Sequence, residues 1–421
     1  MRVLVLSTTT GYQLRSFGES AERIGIALTF ATDRCHKLEN PWRDEAIAVR
    51  FHDEHASLQA IVEAAQTRPI DGVIAVGDRP VVLAARAAQA LRLRANPVDA
   101  VAASVNKKLA HVRFADAGLP VPWFFEAPPH PDVAADRRVQ FPCVIKPLGL
   151  SGSRGVMRAN SRDELRAAIG RLEALLLRRD VRVLRTGLED AMLVEGFIEG
   201  REFAVEGVLI DGVLRTFAIF DKPEPLDGPF FEETIYVTPS ALARQQQTAM
   251  LAQIQRAASA LGLVTGPIHA ECRVNTAGIF VLEIAARPIG GLCSKVLRFS
   301  RPAEPSAAPL EEVLLRHAIG ENIDGYTRES TGAGVMMIPI PKRGMLRRVD
   351  GIERARQTPH VDAIDVTAKM DQLLEPLPEG ASYLGFIFAR APERDDVVRA
   401  LKEAHAKLHF EIAAPLPIAG V

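Results

Sequence analysis

The sequence predicts a multi-domain protein that begins as α/β and continues as α+β, and three observations carry that prediction. Residues 1 to about 100 alternate strand and helix signals. Residues 141 to 206 run strand, Gly-rich loop, strand, helix and hairpin, and a further hairpin centred on Ala277 carries Glu271 and Glu283 at equal distances from its turn. A chain of 421 residues, 48% of them hydrophobic, can bury a large core distributed over about two to four domains.

The elements follow in order. Val3 to Leu6, Ile26 to Phe30, Ala46 to Phe51 and Gly72 to Val76 are short apolar, β-branched runs and read as strands. Helical segments near Leu14 to Ile24, Leu58 to Ala65 and Val81 to Leu91 separate or follow them, the grammar of a parallel sheet. No GxGxxG follows the first strand, which argues against a dinucleotide site there. Asn106 to Gly118 reads as an amphipathic helix stopped at Gly118, and Pro120-Val121-Pro122 marks a boundary. Phe141 to Lys146 is a strand, and Asp163 to Arg178 is a helix capped by Ser161, with Glu164 three residues later. Met192 to Val194 and Glu202 to Ile210 are strands, and Asp211-Gly212 turns the second into Val213 to Phe220. A Pro- and acid-rich loop, DKPEPLDGPFFEE, is long enough to be functional, and Asp221 and Lys222 at its start are candidates to gate or line a pocket. Thr248 to Leu261 is helical, Pro302 to Pro309 reads as a linker and Leu310 to Ile319 as a helix. From about Gly332, the segments VMMIPI, DAIDVTAK and YLGFIFA, a turn at Pro378-Glu379-Gly380 and a helix from Asp395 to Leu408 make a mixed αβ cap.

Composition excludes several functions. Lys and Arg number 51 against 52 Asp and Glu, a net charge of −1 with no general attraction for nucleic acid or an anionic membrane. Cys35, Cys143, Cys272 and Cys293 lack CxxC spacing, which speaks against a zinc knuckle or a disulfide framework and for a reducing cytoplasm. The apolar run in MRVLVLSTTT is too short for a secretory signal and no run of 18 apolar residues occurs, so a cytoplasmic location is expected. HExxH and GxSxG are both absent.

Two clusters carry chemistry. Lys146 ends a strand and runs into Gly149, Ser151, Gly152, Ser153 and Gly155, which together offer a point charge and bare backbone N–H groups to a triphosphate. Lys precedes the glycines and no GK[ST] occurs, so this is not a Walker A loop. In the hairpin HAECRV-NTAG-IFVLEIA, symmetric pairing sets Glu271 opposite Glu283, and like charges there are relieved by a proton or by a hard cation such as Mg²⁺. Arg287, four residues beyond Glu283, suits a phosphate bridged by that metal. His269, two residues before Glu271, shares its strand face and is a further candidate.

Lys107 with the helix ending AGLPVP, the FPCVIKPLGLSGSRGV segment, EGFIEGRE from Glu195, and the Glu271, Glu283 and Arg287 cluster occur in the order and spacing of the ATP-grasp superfamily. The chain resembles that family over nearly its whole length. The resemblance implies a Rossmann-like pre-ATP-grasp domain over residues 1–105, a subdomain with the Gly-rich loop over 106–195, a subdomain with metal and substrate residues over 196–331, and a C-terminal cap over 332–421. It implies ATP with Mg²⁺, or Mn²⁺ in its place, as cofactors. Lys107 and Lys146 would then contact phosphates under the Gly149 to Gly155 loop, Glu195 through Phe197 and Ile198 would receive adenine, and Glu202 the ribose hydroxyls. Glu271 and Glu283 would be metal ligands and Arg287 a catalytic phosphate and intermediate stabiliser. Many members carry Asn two residues after the second metal Glu; this chain has Ala285, which offers no ligand and leaves the number of Mg²⁺ ions open.

EIAARPIGG, with Gly290 and Gly291, the KPEPLDGPFFEE loop and YLGFIFAR look closest to the L-amino-acid ligase branch, which joins amino acids into dipeptides. Its Glu-x-x-His-x-x-Pro substrate segment appears here as Glu233, Tyr236 and Pro239, so Tyr replaces His on that wall. The resemblance implies an ADP-forming carboxylate-amine ligase working through an acyl phosphate on small-molecule substrates, amino acids among them, and a homodimer. Two alternatives stay open: an ATP-grasp enzyme that activates formate or bicarbonate, and a nucleotide-binding protein without turnover, the latter motivated by Ala285.

Overall fold

The computed structural model describes residues 1–8, 13–33, 46–302 and 304–414. Cys35 lies outside them, and the other three cysteines are free and buried. The described residues fall into two compact units. The first comprises Met1–Val121, Ala204–Ile219 and Leu242–Glu329, and the second Pro122–Phe203, Phe220–Ala241 and Ser330–Val421.

The first unit opens with the expected parallel sheet. Arg2–Ser7 lies between Ala27–Thr32 and Gly72–Val76, with Val3 opposite both Leu28 and Gly72, and Ile47–Ala48 pairs with the outer edge of Ala27–Thr32. Val3 to Leu6 are fully buried, as expected where helices cover both faces of a parallel sheet. The helix between the last two strands spans Glu54–Thr67, capped by Asp53, whose Oδ1 accepts the Ala56 N–H at 3.2 Å. Gly72 has no room for a side chain, because a Cβ would lie 2.5 Å from the Ala318 carbonyl oxygen. A short helix, Val98–Ser104, was not anticipated; it packs on Lys107–Asp116. In the same unit, Gly266–Asn275 pairs with Gly278–Ala285, and Arg244–Leu261 packs on the latter strand before ending at Gly262 in the left-handed region, φ +80°.

One expectation is corrected here. Within Pro302 to Pro309, Glu304–Pro309 is a strand that pairs antiparallel with Arg298–Arg301, Phe299 facing Ala308. It is the edge of a three-stranded sheet, where prolines are tolerated because the missing N–H would face outward. Its prolines therefore misled a reading based on composition.

The second unit holds an antiparallel sheet in the order Phe124–Ala127, Met192–Gly196, Cys143–Pro147, Met157–Ala159. Arg162–Leu176 packs against it through Leu165, Ile169, Leu172 and Leu176, all essentially buried, and trimming any of them to Ala should cost about 2–5 kcal/mol. Ser161 Oγ accepts the Glu164 N–H at 3.2 Å, and the Glu164 carboxylate reaches back to the Asn160 N–H at 2.8 Å, one residue earlier than a standard capping box. Around the cap, Ile235–Thr238, Gly332–Ile338, Gly385–Ala391 and Val361–Val366 form consecutive antiparallel strands covered by Arg394–Ala406. Leu373–Leu374, Gly344–Asp350 and His409–Ala413 form a further small sheet.

Candidate functional site

The glutamate hairpin belongs to the first unit. Its turn is only Thr276-Ala277, because Asn275 already faces Gly278, and Asn275 Oδ1 accepts the N–H groups of Ala277 at 2.8 Å and Gly278 at 3.2 Å. A regular ladder from that turn pairs Cys272 with Val281 and would next set Glu271 against Leu282. A bulge passes over Leu282 and sets Glu271 opposite Glu283. A one-residue slip exchanges the two faces of a strand, so this bulge determines that both carboxylates share one face.

Around them lie the other predicted groups of this unit. Lys107 Nζ, in the first turn of Lys107–Asp116, is 4.0 Å from Glu283 Oε2. His269 Nε2 is 3.6 Å from Glu271 Oε1, and its Nδ1 is 3.1 Å from Oε2 of the fully buried Glu206. Both Glu206 oxygens also accept the Ile289 N–H at 3.1 Å, which ties the ARPIGG segment to Glu206's own strand, Arg201–Ile210. Burial alone would keep His269 neutral, but the hydrogen bonds to Glu206 and Glu271 outweigh it and raise its pKa to about 9. Burial raises Glu206, and the hydrogen bonds from His269 and Ile289 oppose that shift. Arg287 is buried and grips Asp78 with two parallel bonds, Nε to Oδ1 at 2.6 Å and Nη2 to Oδ2 at 2.9 Å. Burial disfavours its charge, and Asp78 more than compensates. Gly290 has open space at its Cβ position, and Gly291 has φ +61°.

Asp78 and Glu206 escaped the sequence reading. Asp78 follows the carboxyl end of the parallel strand Gly72–Val76, the end at which open α/β sheets present ligand-directed groups. Glu206 stands as an acid in the otherwise apolar run FAVEGVLI, which was the available signal.

The second unit holds the remaining candidates. Val144 faces Glu195 across the antiparallel pair, so Lys146, two residues on, shares the face of Glu195. Lys146 Nζ lies 2.7 Å from Glu195 Oε1, and both side chains are buried. The loop beyond Lys146 places Gly152, Ser153 and Gly155 at φ +65°, +54° and +76°. It is pinned by the Gly155 N–H to the Pro378 carbonyl at 2.8 Å and by Arg154 Nε to the Glu379 carbonyl at 2.8 Å, so the Pro378-Glu379-Gly380 turn supports it. Gly149 packs closely on Leu188, and Ser151 is exposed. The Phe197 N–H bonds the Pro142 carbonyl at 3.1 Å, its ring lies 6.2 Å from that of Phe231 with Arg158 over it at 4.1 Å, and Ile198 is half-buried. Glu202, Lys222, Glu233 and Tyr236 form one network. Lys222 Nζ donates to Glu202 Oε1 at 2.7 Å and to Glu233 Oε1, and the Tyr236 hydroxyl donates to Glu233 Oε2 at 2.9 Å. Lys222 and Tyr236 are buried. Asp221 instead accepts from Arg394 Nη2 at 2.8 Å and from the Ala241 N–H at 3.0 Å, which fixes the start of the acidic loop.

Three family profiles match the chain in sequence order: an ATP-grasp N-terminal domain over residues 18–95, an ATP-grasp domain over 139–296 and the L-amino acid ligase C-terminal domain 2 over 336–413. The chain belongs to the ATP-grasp superfamily. This ATP-grasp chain is similar to the crystal structure of L-amino acid ligase from Bacillus licheniformis, with a TM-score of 0.83 at 26% identity over 98% of this chain and 99% of that one. It is 25% identical to alanine–anticapsin ligase of Bacillus subtilis over 57% of this chain and 53% of that protein. It is 28% identical to carnosine synthase 1 of Homo sapiens over 58% of this chain and 30% of that protein. The chain spans 61%, 46% and 30% of the length of the first three curated relatives it matches. The ATP-grasp fold implies ATP binding. Glu271 and Glu283 present carboxylate oxygens on one face, a donor set suited to a hard divalent cation, while Ala285, buried opposite His269, adds no ligand. No described helix is long and apolar enough to cross a membrane.

Proposed function

We propose that this protein is an ATP-dependent carboxylate-amine ligase that joins L-amino acids and releases ADP and phosphate. The observation that carries the reading is the bulged register that sets Glu271 opposite Glu283 with Arg287 just beyond; likeness to an L-amino acid ligase over 98% of the chain supports it. A substrate carboxylate attacks the γ-phosphate in line, forming an acyl phosphate and ADP, and an amine then displaces phosphate from the acyl carbon. Glu271 and Glu283 would hold Mg²⁺, which when bound would neutralise charge at the phosphates. Lys107, Lys146 and the N–H groups of Gly149 to Gly155 bind the phosphates, Glu195, Phe197 and Ile198 meet the adenine, and Glu202 the ribose. Arg287, oriented by Asp78, stabilises the oxyanion of the tetrahedral intermediate. Glu233 receives the substrate α-ammonium, and Tyr236, Gly290 and Gly291 shape the amino-acid pocket. His269 fixes Glu271 through its bond to Glu206.

The test is ADP release across a panel of amino-acid pairs, with product masses measured. Turnover that requires amino acids and yields a dipeptide mass supports the reading. ADP release with formate or bicarbonate alone overturns it in favour of another acceptor, and no release with any substrate overturns it in favour of nucleotide binding without turnover.

A further inference from the structure

A cavity of about 80 Å³ lies wholly within the first unit, between Gly72–Val76, Val81–Ala90, Leu310–Ala318 and the start of Gly266–Asn275. One water needs roughly 10–15 Å³ on this measure, so the space suits a molecule of several heavy atoms. Most of its wall is Ala, Val and Leu, with the methyl groups of Ala85 and Ala88 among them. Its polar groups adjoin one another. Asn96 is committed to the backbone, donating to the Thr265 carbonyl at 2.7 Å and accepting the Val264 and Thr265 N–H groups at 2.7 and 2.9 Å. Buried His317 approaches Thr265 Oγ1 only at 3.5 Å, the outer limit of a hydrogen bond. Among the described residues Arg94 has no hydrogen-bond or ion-pair partner, and its charge is near enough to disfavour protonation of His317. The exposed Arg94 guanidinium, beside a buried, weakly bonded imidazole and hydroxyl, offers a cation to an incoming anion.

We propose that this cavity binds a short aliphatic monocarboxylate, its carboxylate on Arg94, His317 and Thr265 and its alkyl tail against Ala85 and Ala88. A single guanidinium matches a single carboxylate, and the alanine walls cannot solvate a second charge. The site rests on none of the residues assigned to the ligase reaction, so it stands or falls separately from the proposed function.

The experiment is a titration of the full-length protein, labelled at alanine methyl groups, with propionate, propionamide and inorganic phosphate, with the Ala85 and Ala88 signals assigned by glycine substitution. The methyl readout separates this cavity from carboxylate binding elsewhere. Propionate should shift both signals saturably, propionamide and phosphate should not, and Arg94→Gln, an exposed and structurally mild change, should weaken propionate at least tenfold. Ala88→Leu, which fills the space, should abolish the response. Signals unmoved by propionate, moved equally by propionamide, moved preferentially by phosphate, or unaffected by Arg94→Gln would overturn the proposal.

Discussion

Replacing Asp78 by Asn keeps the shape of the Arg287 partner and removes its charge. The native pair makes two charge-assisted bonds, at 2.6 and 2.9 Å, with side-chain exposures of 10% for Arg287 and 23% for Asp78. Removing one member of a fully buried pair costs about 3–5 kcal/mol, and partial solvent access at Asp78 moves the expectation to about 2–3 kcal/mol. If Arg287 acts on the transition state only in the orientation Asp78 imposes, that loss corresponds to a fall in kcat/KM of about 30- to 150-fold. The assay is ADP release with the amino-acid pair found active, at saturating ATP, beside urea denaturation of the same variant. Asp78→Glu, which keeps the charge, should recover part of the rate. Asp78→Asn with kcat/KM within about twofold of the parent and lowered stability would confine Asp78 to a structural role and refute the orientation argument.

Other outcomes follow from the same geometry. Lys146→Met should weaken nucleotide binding at least about tenfold in calorimetry and strand Glu195; Lys146→Met with Glu195→Gln should regain stability without regaining affinity. Tyr236→Phe removes one of the donors to Glu233 and should raise KM for the amino-acid substrate several-fold with little change in the nucleotide constant. Burial, with the charge of Arg94 adding to it, lowers the pKa of His317 from 6.5 to about 4, so the stability gained by keeping it neutral is complete above pH 6.5 and is lost as pH falls toward 4. At about 1.4 kcal/mol per pH unit, His317→Gln should remove about 2–3 kcal/mol of the decline between pH 6.5 and 4.5, measured by urea denaturation at both values; an unchanged decline would contradict the assignment.

Much of this was legible in sequence, and the failures have local causes. The parallel sheet was readable because each strand is a short β-branched run between helical segments, and Gly72–Val76 appears with the bounds expected of it. The loop after Lys146 announced itself by its glycines, two of which, Gly152 and Gly155, take positive φ, as does Ser153 between them. Glu271 and Glu283 could be paired by symmetry, yet the two-residue turn alone would have misaligned them; the bulge over Leu282 depends on sheet geometry that no local pattern encodes. Asp78 reaches Arg287 across 209 residues and Glu206 reaches Ile289 across 83, so neither partnership leaves a trace in periodicity. Glu304–Pro309 was obscured because prolines mark loops and edge strands alike. The link between the glycine loop and the Pro378 turn likewise emerges only once the cap folds back within its unit.

Oxygen transfer tests the central claim most directly. A substrate amino acid labelled with ¹⁸O in its carboxylate is turned over with ATP and a second amino acid, and the released phosphate is analysed by mass. The ligase account predicts one ¹⁸O in each phosphate released, together with ADP and a dipeptide. Unlabelled phosphate accompanying dipeptide formation would contradict activation of the carboxylate as an acyl phosphate.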